Sequence, residues 1–201
     1  MLGSGCHQSL LNAFEEIPKT EALTVLRGIG QCVYSLNVAI PGEIHALTER
    51  LRPQLLTCDT IRDTKTLVVK RFPATDRDEL TRAQKKTRDA LRGTDPFRIR
   101  VTGVEQFEIP ASGDGPVLFL AIDSPALEAI HDRLVTVFDA APGIEGEDYR
   151  PHITIARGGD PEVVEDILQT EIEPLSVAVN RLIYWDAQRN LPTGELRLPV
   201  Q

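Results

Sequence analysis

The chain has 201 residues, of which 41% are hydrophobic, and a formal net charge of -8 at pH 7. This length suits one ordinary domain or two small lobes that share a core. The acidic balance excludes a surface built for non-specific nucleic-acid binding, so a nucleic acid would have to be met by a local basic cleft. No apolar run reaches the roughly 18 residues that span a bilayer, and we expect no membrane partner.

The three cysteines Cys6, Cys32 and Cys58 are far apart and form no CxxC pair. This spacing is typical of reduced thiols and favours neither a disulfide framework nor a zinc site. The first residues lack a basic region followed by an apolar stretch, so no signal peptide is predicted. We therefore expect a cytoplasmic protein, and we expect it to be a monomer.

The regular pattern of the chain begins at Val33. Residues 1–32 are interpreted as a loosely attached, poorly ordered N-terminal extension or as the result of a start codon placed too early, and no function is assigned to them. Residues 33–40 alternate in the way of a half-buried strand, and Pro41 opens a helix with one apolar face. A second strand is predicted at residues 65–72. Thr75 is predicted to cap the helix that follows, which runs to about residue 92.

The second half repeats this order of elements. It is predicted to contain strands at 97–108 and 116–123, a helix from Ser124, a strand at 150–157, a helix from Asp160, and closing strands at 177–185 and 195–198. Strands and helices that mix in this way indicate an α/β (α+β) fold in which two similar β-α lobes face a shared central cleft. The domain is therefore predicted to cover residues 33–201.

The sharpest chemical signal is the string from Tyr149 to Arg157, which reads YRPHITIAR. Side chains alternate between faces on a strand, so His152 and Thr154 share one face while the isoleucines enter the core. An imidazole can transfer a proton near neutral pH, and the neighbouring hydroxyl can hold a phosphoryl oxygen. Arg157 could add charge-assisted hydrogen bonds to the same anion. H-x-T alone would favour the alternative, a histidine that merely hydrogen-bonds at a sheet surface.

The longer string PHITIAR resembles the second signature of the two-histidine (2H) phosphoesterases, the family of RNA 2',3'-cyclic phosphodiesterases and 2'-5' RNA ligases. The order of strand, strand, helix and histidine strand over residues 103–157 is similar to that family as well. The resemblance implies the bilobal 2H fold and a substrate that is the 2',3'-cyclic phosphate or 2'-5' phosphodiester end of an RNA or nucleotide. It implies that two histidines share proton transfer, that threonines hold phosphoryl oxygens, and that no metal or other cofactor is needed. His152 would be the acid/base group, with Thr154 and Thr66 as matching phosphate ligands.

The equivalent strand of the first lobe, DTKTLVVKRF at residues 63–72, contains no histidine. If Thr66 is the motif threonine, Thr64 stands at the histidine position and shares its face. Lys65 then points away unless a bulge reverses it. The alternative is that this strand is only core and surface, with Lys70 and Arg71 as solvated charges.

Several other residues are candidates for substrate binding. Lys65 could neutralise phosphate charge, although its reference pKa of about 10.4 makes it a poor base. Arg157, Thr64 and Tyr149 complete this set.

Residues outside the two motifs carry weaker signals. Tyr34 and Asn37 could line the cleft from the first strand, whereas Trp185 is expected in the core and His45 and His131 at solvated or core-edge positions.

Two functions follow from the incomplete motif pair. The first is a cyclic phosphodiesterase or ligase-like enzyme of reduced activity. The second is a phosphate- or RNA-binding module without catalysis, since the loss of one general acid or base typically costs about 100- to 10,000-fold in rate. Because folds of this kind host different functions, the site has to decide between them.

Overall fold

Two antiparallel sheets form the framework of the protein in a computed structural model that describes residues 33–111, 113 and 115–201. The interpretation of residues 1–32 as an extension lies outside the described residues. The elements in chain order are β1 Tyr34–Val38, α1 Gly42–Leu55, β2 Thr60–Ile61, β3 Leu67–Phe72, α2 Arg77–Ala90, β4 Phe97–Phe107, β5 Val117–Asp123, α3 Pro125–Val135, β6 His152–Arg157, α4 Pro161–Leu168, β7 Leu175–Val179, β8 Arg181–Asp186 and β9 Leu191–Arg197.

The first sheet has the strand order β3-β1-β8-β9, and the second has the order β2-β6-β5-β4-β7. Every residue of β1 is buried, as expected for a strand with a partner on each side. Helix α3 packs against β3 of the first sheet and β4 of the second. One continuous hydrophobic core therefore joins both lobes, and the predicted two-lobed α/β arrangement is present.

The helix starts follow local capping chemistry. The Ser124 side chain accepts a hydrogen bond from the Leu127 N–H at 3.3 Å, and Pro125 occupies the first turn, as predicted. The predicted cap at Thr75 is wrong by one residue, because Asp76 accepts from the Glu79 N–H at 2.8 Å. Thr75 instead donates through its N–H to Glu79 Oε2 at 2.7 Å. Asp76 and Glu79 therefore cap the start of the helix together.

The strand predicted at residues 177–185 is in fact two strands that belong to different sheets. β7 pairs with β4 in the second sheet, whereas β8 pairs with β1 in the first. The chain crosses between the sheets at Asn180, and alternation along a single strand carries no information about such a change of partner. This crossing brings β8 and the β8–β9 turn to the edge of the cleft.

None of the helices in the described part of the chain is long and apolar enough to cross a membrane.

Candidate functional site

A cleft opens between the two sheets, and its lining divides into two halves that share a centre. The cleft centre consists of five residues that line both halves, namely Val68, Arg71, His152, Thr154 and Arg157. The polar half, a cavity of about 250 Å³, adds Ser35, Asn37, Arg62, Thr66, Trp185, Ala187 and Asn190. The apolar half, a cavity of about 280 Å³, adds Phe107, Ile109, Pro110, Ala111, Val117, Gly143, Ile144, Asp148, Tyr149 and Arg150.

His152 begins β6 and is held in one tautomer. Its Nδ1 lies 2.7 Å from the carbonyl oxygen of Arg150, which can only accept, so Nδ1 carries the proton and Nε2 keeps a lone pair. Edge-on contacts with the rings of Phe107 and Phe119, at centroid distances of 5.0 and 5.2 Å, fix the imidazole plane. The neutral ring is therefore presented as a proton acceptor.

The pKa of His152 lies below its usual value of 6.5. Burial against the aromatic rings is the main cause, because it disfavours the charged imidazolium. The hydrogen bond to the Arg150 carbonyl opposes this effect, and the nearby positive charge of Arg71 lowers the pKa further. At neutral pH the site thus holds an uncharged imidazole beside fixed positive charge.

The alternation predicted for β6 is present up to Ile155. Ile153 and Ile155 are fully buried, while His152 and Thr154 lie in the cleft. Arg157 also reaches the cleft, although strict alternation from Thr154 would turn it away. A bulge explains this, because three steps along β6 from Thr154 to Arg157 oppose only two steps on β5, from Phe119 to Val117.

β3 carries the same bulge at the matching place in the first sheet. Val68 pairs with Asn37 and Arg71 pairs with Ser35, so three steps again oppose two. The cleft residues Thr66, Val68 and Arg71 are spaced like those of the second sheet and are therefore their counterparts. Val68 corresponds to Thr154 and Arg71 to Arg157, which leaves Thr66 as the counterpart of His152.

This equivalence moves the missing histidine position from Thr64 to Thr66. Thr66 lines the polar half, as the sequence predicted, but it stands at the position that corresponds to His152. The position that corresponds to Thr154 is occupied by Val68, which has no hydroxyl. Thr64 lines neither half. Its hydroxyl oxygen accepts a hydrogen bond from Asn190 Nδ2 at 2.9 Å, which ties the β2–β3 loop to the β8–β9 turn.

Lys65 points away from the cleft, so its suggested contact with phosphate is corrected. Its ammonium group is buried and donates to the backbone carbonyl oxygens of Arg62 and Asp63. Burial lowers the pKa of Lys65, and the charges of Glu49 and Asp63 oppose this effect. Lys65 closes the loop before β3 and contributes no side chain to the cleft lining.

Tyr149 lines only the apolar half, and its hydroxyl faces the backbone of β3. It donates to the carbonyl oxygen of Val68 at 2.8 Å, and its ring stacks on His131 with a centroid distance of 3.7 Å. Burial raises the pKa of Tyr149 above its usual value, so the hydroxyl stays protonated. These contacts indicate a residue that positions Val68, which differs from the expected substrate contact.

His131 is fully buried, not solvated or at the core edge as the sequence suggested. Its Nδ1 donates to the carbonyl oxygen of Val69 at 2.7 Å, and its Nε2 accepts from the N–H of Gly146 at 2.9 Å. The ring therefore joins β3 to the loop before β6. Both nitrogens are used in this connection, which leaves His131 no part in proton transfer.

Among the cleft residues that the sequence did not identify, Arg71 and Trp185 matter most for binding. Arg71 was read as solvated charge, yet it lines both halves of the cleft with its side chain 28% exposed. Trp185 was expected in the core, yet it is half-buried and lines the polar half, where it pairs across the sheet with Ser35. The spacing T-x-V-x-x-R beside H-x-T-x-x-R could have revealed Arg71, whereas Trp185 depends on a distant strand pairing.

The cleft centre combines one uncharged imidazole, one hydroxyl and two guanidinium groups. Arginine binds oxyanions through charge-assisted hydrogen bonds, and phosphate is the anion whose oxygens suit several donors at once. The arrangement can therefore hold a phosphate and present a single proton acceptor, His152 Nε2, to it.

The sequence profile of the 2'-5' RNA ligase superfamily matches residues 66–191. No curated protein matches the sequence significantly.

Several solved structures share the fold. The protein TT0787 of Thermus thermophilus is similar with a TM-score of 0.59 at 19% identity, over 82% of this chain and 97% of that chain. Escherichia coli LigT in complex with 3'-AMP gives 0.59 at 15% identity, over 83% and 97%. Kluyveromyces marxianus Usb1 gives 0.51 at 10% identity, over 85% and 99%. At these identities the similarity concerns the fold, and it confirms the predicted bilobal arrangement.

Proposed function

Because the chain belongs to the 2'-5' RNA ligase superfamily, we propose that it binds the phosphate of a nucleotide or RNA end in this cleft and hydrolyses 2',3'-cyclic phosphates slowly. The observation that carries the proposal is the placement of His152 and Thr154 beside Arg71 and Arg157 in the cleft centre. Complexes of LigT with 3'-AMP, with phosphate and with ATP support a phosphate-bearing ligand for this fold.

Each of the four polar residues of the cleft centre has a defined task in such a reaction. The two guanidinium groups and the Thr154 hydroxyl hold the non-bridging oxygens and stabilise the charge that develops on them. His152 Nε2 accepts a proton from the attacking water. The fixed tautomer and the lowered pKa both favour this role, because they keep Nε2 unprotonated at neutral pH.

In the hydrolytic step, His152 accepts one proton and solvent donates the other. The water oxygen forms a bond to phosphorus while one bond from phosphorus to a ribose oxygen breaks. The proton of the water passes to His152, and the ribose oxygen takes a proton from solvent as it leaves. The imidazolium then returns its proton to solvent, so the protein is unchanged and the product is the 2'- or 3'-monophosphate of the same nucleoside or RNA end.

The first sheet makes this reaction slow, because Thr66 stands at the position that matches His152. A threonine hydroxyl does not exchange protons usefully at neutral pH, so no fixed acid protonates the leaving oxygen. Binding depends on Arg71, Arg157 and Thr154 and does not need a second histidine. The same observation favours a second candidate, a module that binds phosphate or RNA ends without turnover.

Restoring the first motif separates these two functions. The double change Thr66→His with Val68→Thr would place a second imidazole and hydroxyl opposite His152. We expect hydrolysis of 2',3'-cyclic AMP to rise at least about tenfold above the parent, with a maximum near the 10,000-fold that a general acid can supply. The measurement is the rate of linear product formation under single-turnover conditions.

The matched control is Thr64→His, two residues earlier on a side chain outside the cleft lining. It should leave the rate unchanged, and His152→Ala should abolish it in every background. If the parent already hydrolyses 2',3'-cyclic AMP at a high rate and the restored motif does not increase that rate, another residue already supplies the second proton. Undetectable turnover in the parent and in the restored protein, with phosphate still bound, would favour the binding module.

A further inference from the structure

Asn37 offers an unused hydrogen-bond donor to the cleft. We infer that Asn37 is a second ligand, beside Arg71, by which the first sheet holds an oxygen of the bound phosphate, in place of the hydroxyl that Val68 lacks. This inference rests on the proposed function and names a residue outside both sequence motifs. It would give the first sheet a neutral hydrogen-bond donor for the anion, as Thr154 is in the second sheet.

The environment of Asn37 points to a missing partner. The residue lies in the middle of β1 with its side chain in the polar half, and it is only 3% exposed. Its Oδ1 accepts a hydrogen bond from the Ser35 hydroxyl at 3.3 Å. Its Nδ2 is buried without any hydrogen-bond partner, a condition shared by just one other side-chain atom in the described part of the chain, Thr87 Oγ1.

A buried donor without a partner costs the folded protein free energy, typically about 1–3 kcal/mol. Such groups are rare in folded proteins, and each calls for a specific explanation. A hydrophobic residue at position 37 would fill the same space between Val68 and Ile183, its partners across the sheet, without this cost. The free energy is recovered if a ligand in the polar half accepts the hydrogen bond.

The strand register places Asn37 beside Val68, the position at which the first sheet lacks a hydroxyl. Asn37 pairs directly with Val68, the counterpart of the phosphate ligand Thr154, and on the second sheet the same place opposite Thr154 is taken by Phe119. In the second sheet the polar group is on the motif strand β6, whereas in the first sheet it is on β1, the neighbour of the motif strand β3. An amide N–H can only donate, which suits a fully ionised phosphoryl oxygen better than a hydroxyl or a base edge that offers both roles.

The test uses Asn37→Leu, which keeps the approximate volume and removes the donor. We expect the thermal midpoint of the free protein to stay or to rise, because an unsatisfied group is lost. We expect affinity for inorganic phosphate and for 3'-AMP, measured by calorimetry, to fall about tenfold to a hundredfold, as for a hydrogen bond to a charged group. Adding Val68→Thr to this variant should return most of the lost affinity.

Asn37→Asp is the second variant, and it replaces the donor by a negative charge in nearly the same shape. It should abolish phosphate binding, whereas Asn180→Asp, the same change at an exposed residue between β7 and β8, should not. A fall of many degrees in the thermal midpoint of Asn37→Leu, or phosphate bound equally by parent and Asn37→Leu, would overturn the inference. A parent that binds neither ligand would instead overturn the proposed function itself.

Discussion

At the scale of single residues, the site depends on a histidine kept neutral beside positive charge. Desolvation by Phe107 and Phe119 and the field of Arg71 both act against the imidazolium, and the Arg150 carbonyl fixes the tautomer. Arg71 therefore has two effects, and both favour the reaction. It attracts the phosphate, and it keeps the acceptor nitrogen unprotonated for the attacking water.

This double role predicts a change in pH dependence when Arg71 is removed. In the parent, hydrolysis should rise with pH through the pKa of His152 and level off above it, with the midpoint below the usual 6.5. Arg71→Met removes one cause of the lowered pKa, so the midpoint should move to higher pH. The plateau rate should also fall about tenfold, as for loss of one charge-assisted hydrogen bond.

The measurements are the pH–rate profile and the NMR titration of His152 in the free protein. Arg92→Met, at an exposed arginine that follows α2, is the matched control and should leave the His152 titration where it was. A midpoint that stays fixed in Arg71→Met, or moves to lower pH, would contradict the electrostatic role of Arg71.

At the scale of elements, the bulge of β3 is held from behind by the loop that precedes β6. Lys70 Nζ lies 2.5 Å from Glu145 Oε2, and both side chains are almost fully buried. Glu145 also accepts from the backbone N–H groups of Arg71 at 2.7 Å and Ala141 at 2.9 Å. Lys70, Glu145 and the two backbone N–H groups form a buried cluster. Because the bulge turns Arg71 into the cleft, this cluster determines where the Arg71 side chain lies in the binding site.

Breaking the buried pair on one side should therefore destabilise the whole protein. Glu145→Leu leaves the Lys70 ammonium buried without its counter-charge, which typically costs about 3–5 kcal/mol. Lys70→Met combined with Glu145→Leu should recover part of this loss, since the remaining cost is that of two unpaired backbone N–H groups. Urea unfolding at neutral pH measures the free energy of unfolding for each variant.

An exposed ion pair serves as the comparison. Arg181 and Glu195 lie 3.9 Å apart on β8 and β9, with side chains 56% and 41% exposed, so Arg181→Met should cost no more than about 1 kcal/mol. If Glu145→Leu proves as mild as Arg181→Met, the cluster does not hold β3 and the bulge must have another cause.

At the scale of the whole molecule, the sequence predicts what is local and misses what depends on pairing. His152, Thr154 and the buried isoleucines follow from alternation along one strand, and most helix starts follow from capping residues. The shift from Thr64 to Thr66 depends on the bulge opposite Asn37, which is a property of two strands. Trp185 reaches the cleft only because β8 pairs with β1, a strand that is distant in sequence.

The charge of the whole molecule leads us to expect a small ligand. The net charge of -8 repels a polyanion. The basic residues of the cleft lining are Arg71 and Arg157 in the centre, Arg62 in the polar half and Arg150 in the apolar half. We therefore expect an RNA that extends beyond the cleft to gain little affinity from its further phosphates. On the proposed function, the expected ligand is a terminal phosphate with the few nucleotides that adjoin it.

We expect an RNA of about ten nucleotides that ends in a 2',3'-cyclic phosphate to bind no more tightly than a dinucleotide with the same end. With roughly three phosphate contacts, the plot of log affinity against log salt should have a slope no steeper than about -2, since single strands lose about 0.7 per contact. Both quantities come from competition binding with His152→Ala, which removes turnover. Affinity that grows steadily with RNA length, accompanied by a slope steeper than about -4, would show that phosphates bind along an extended surface and that the cleft is only its end.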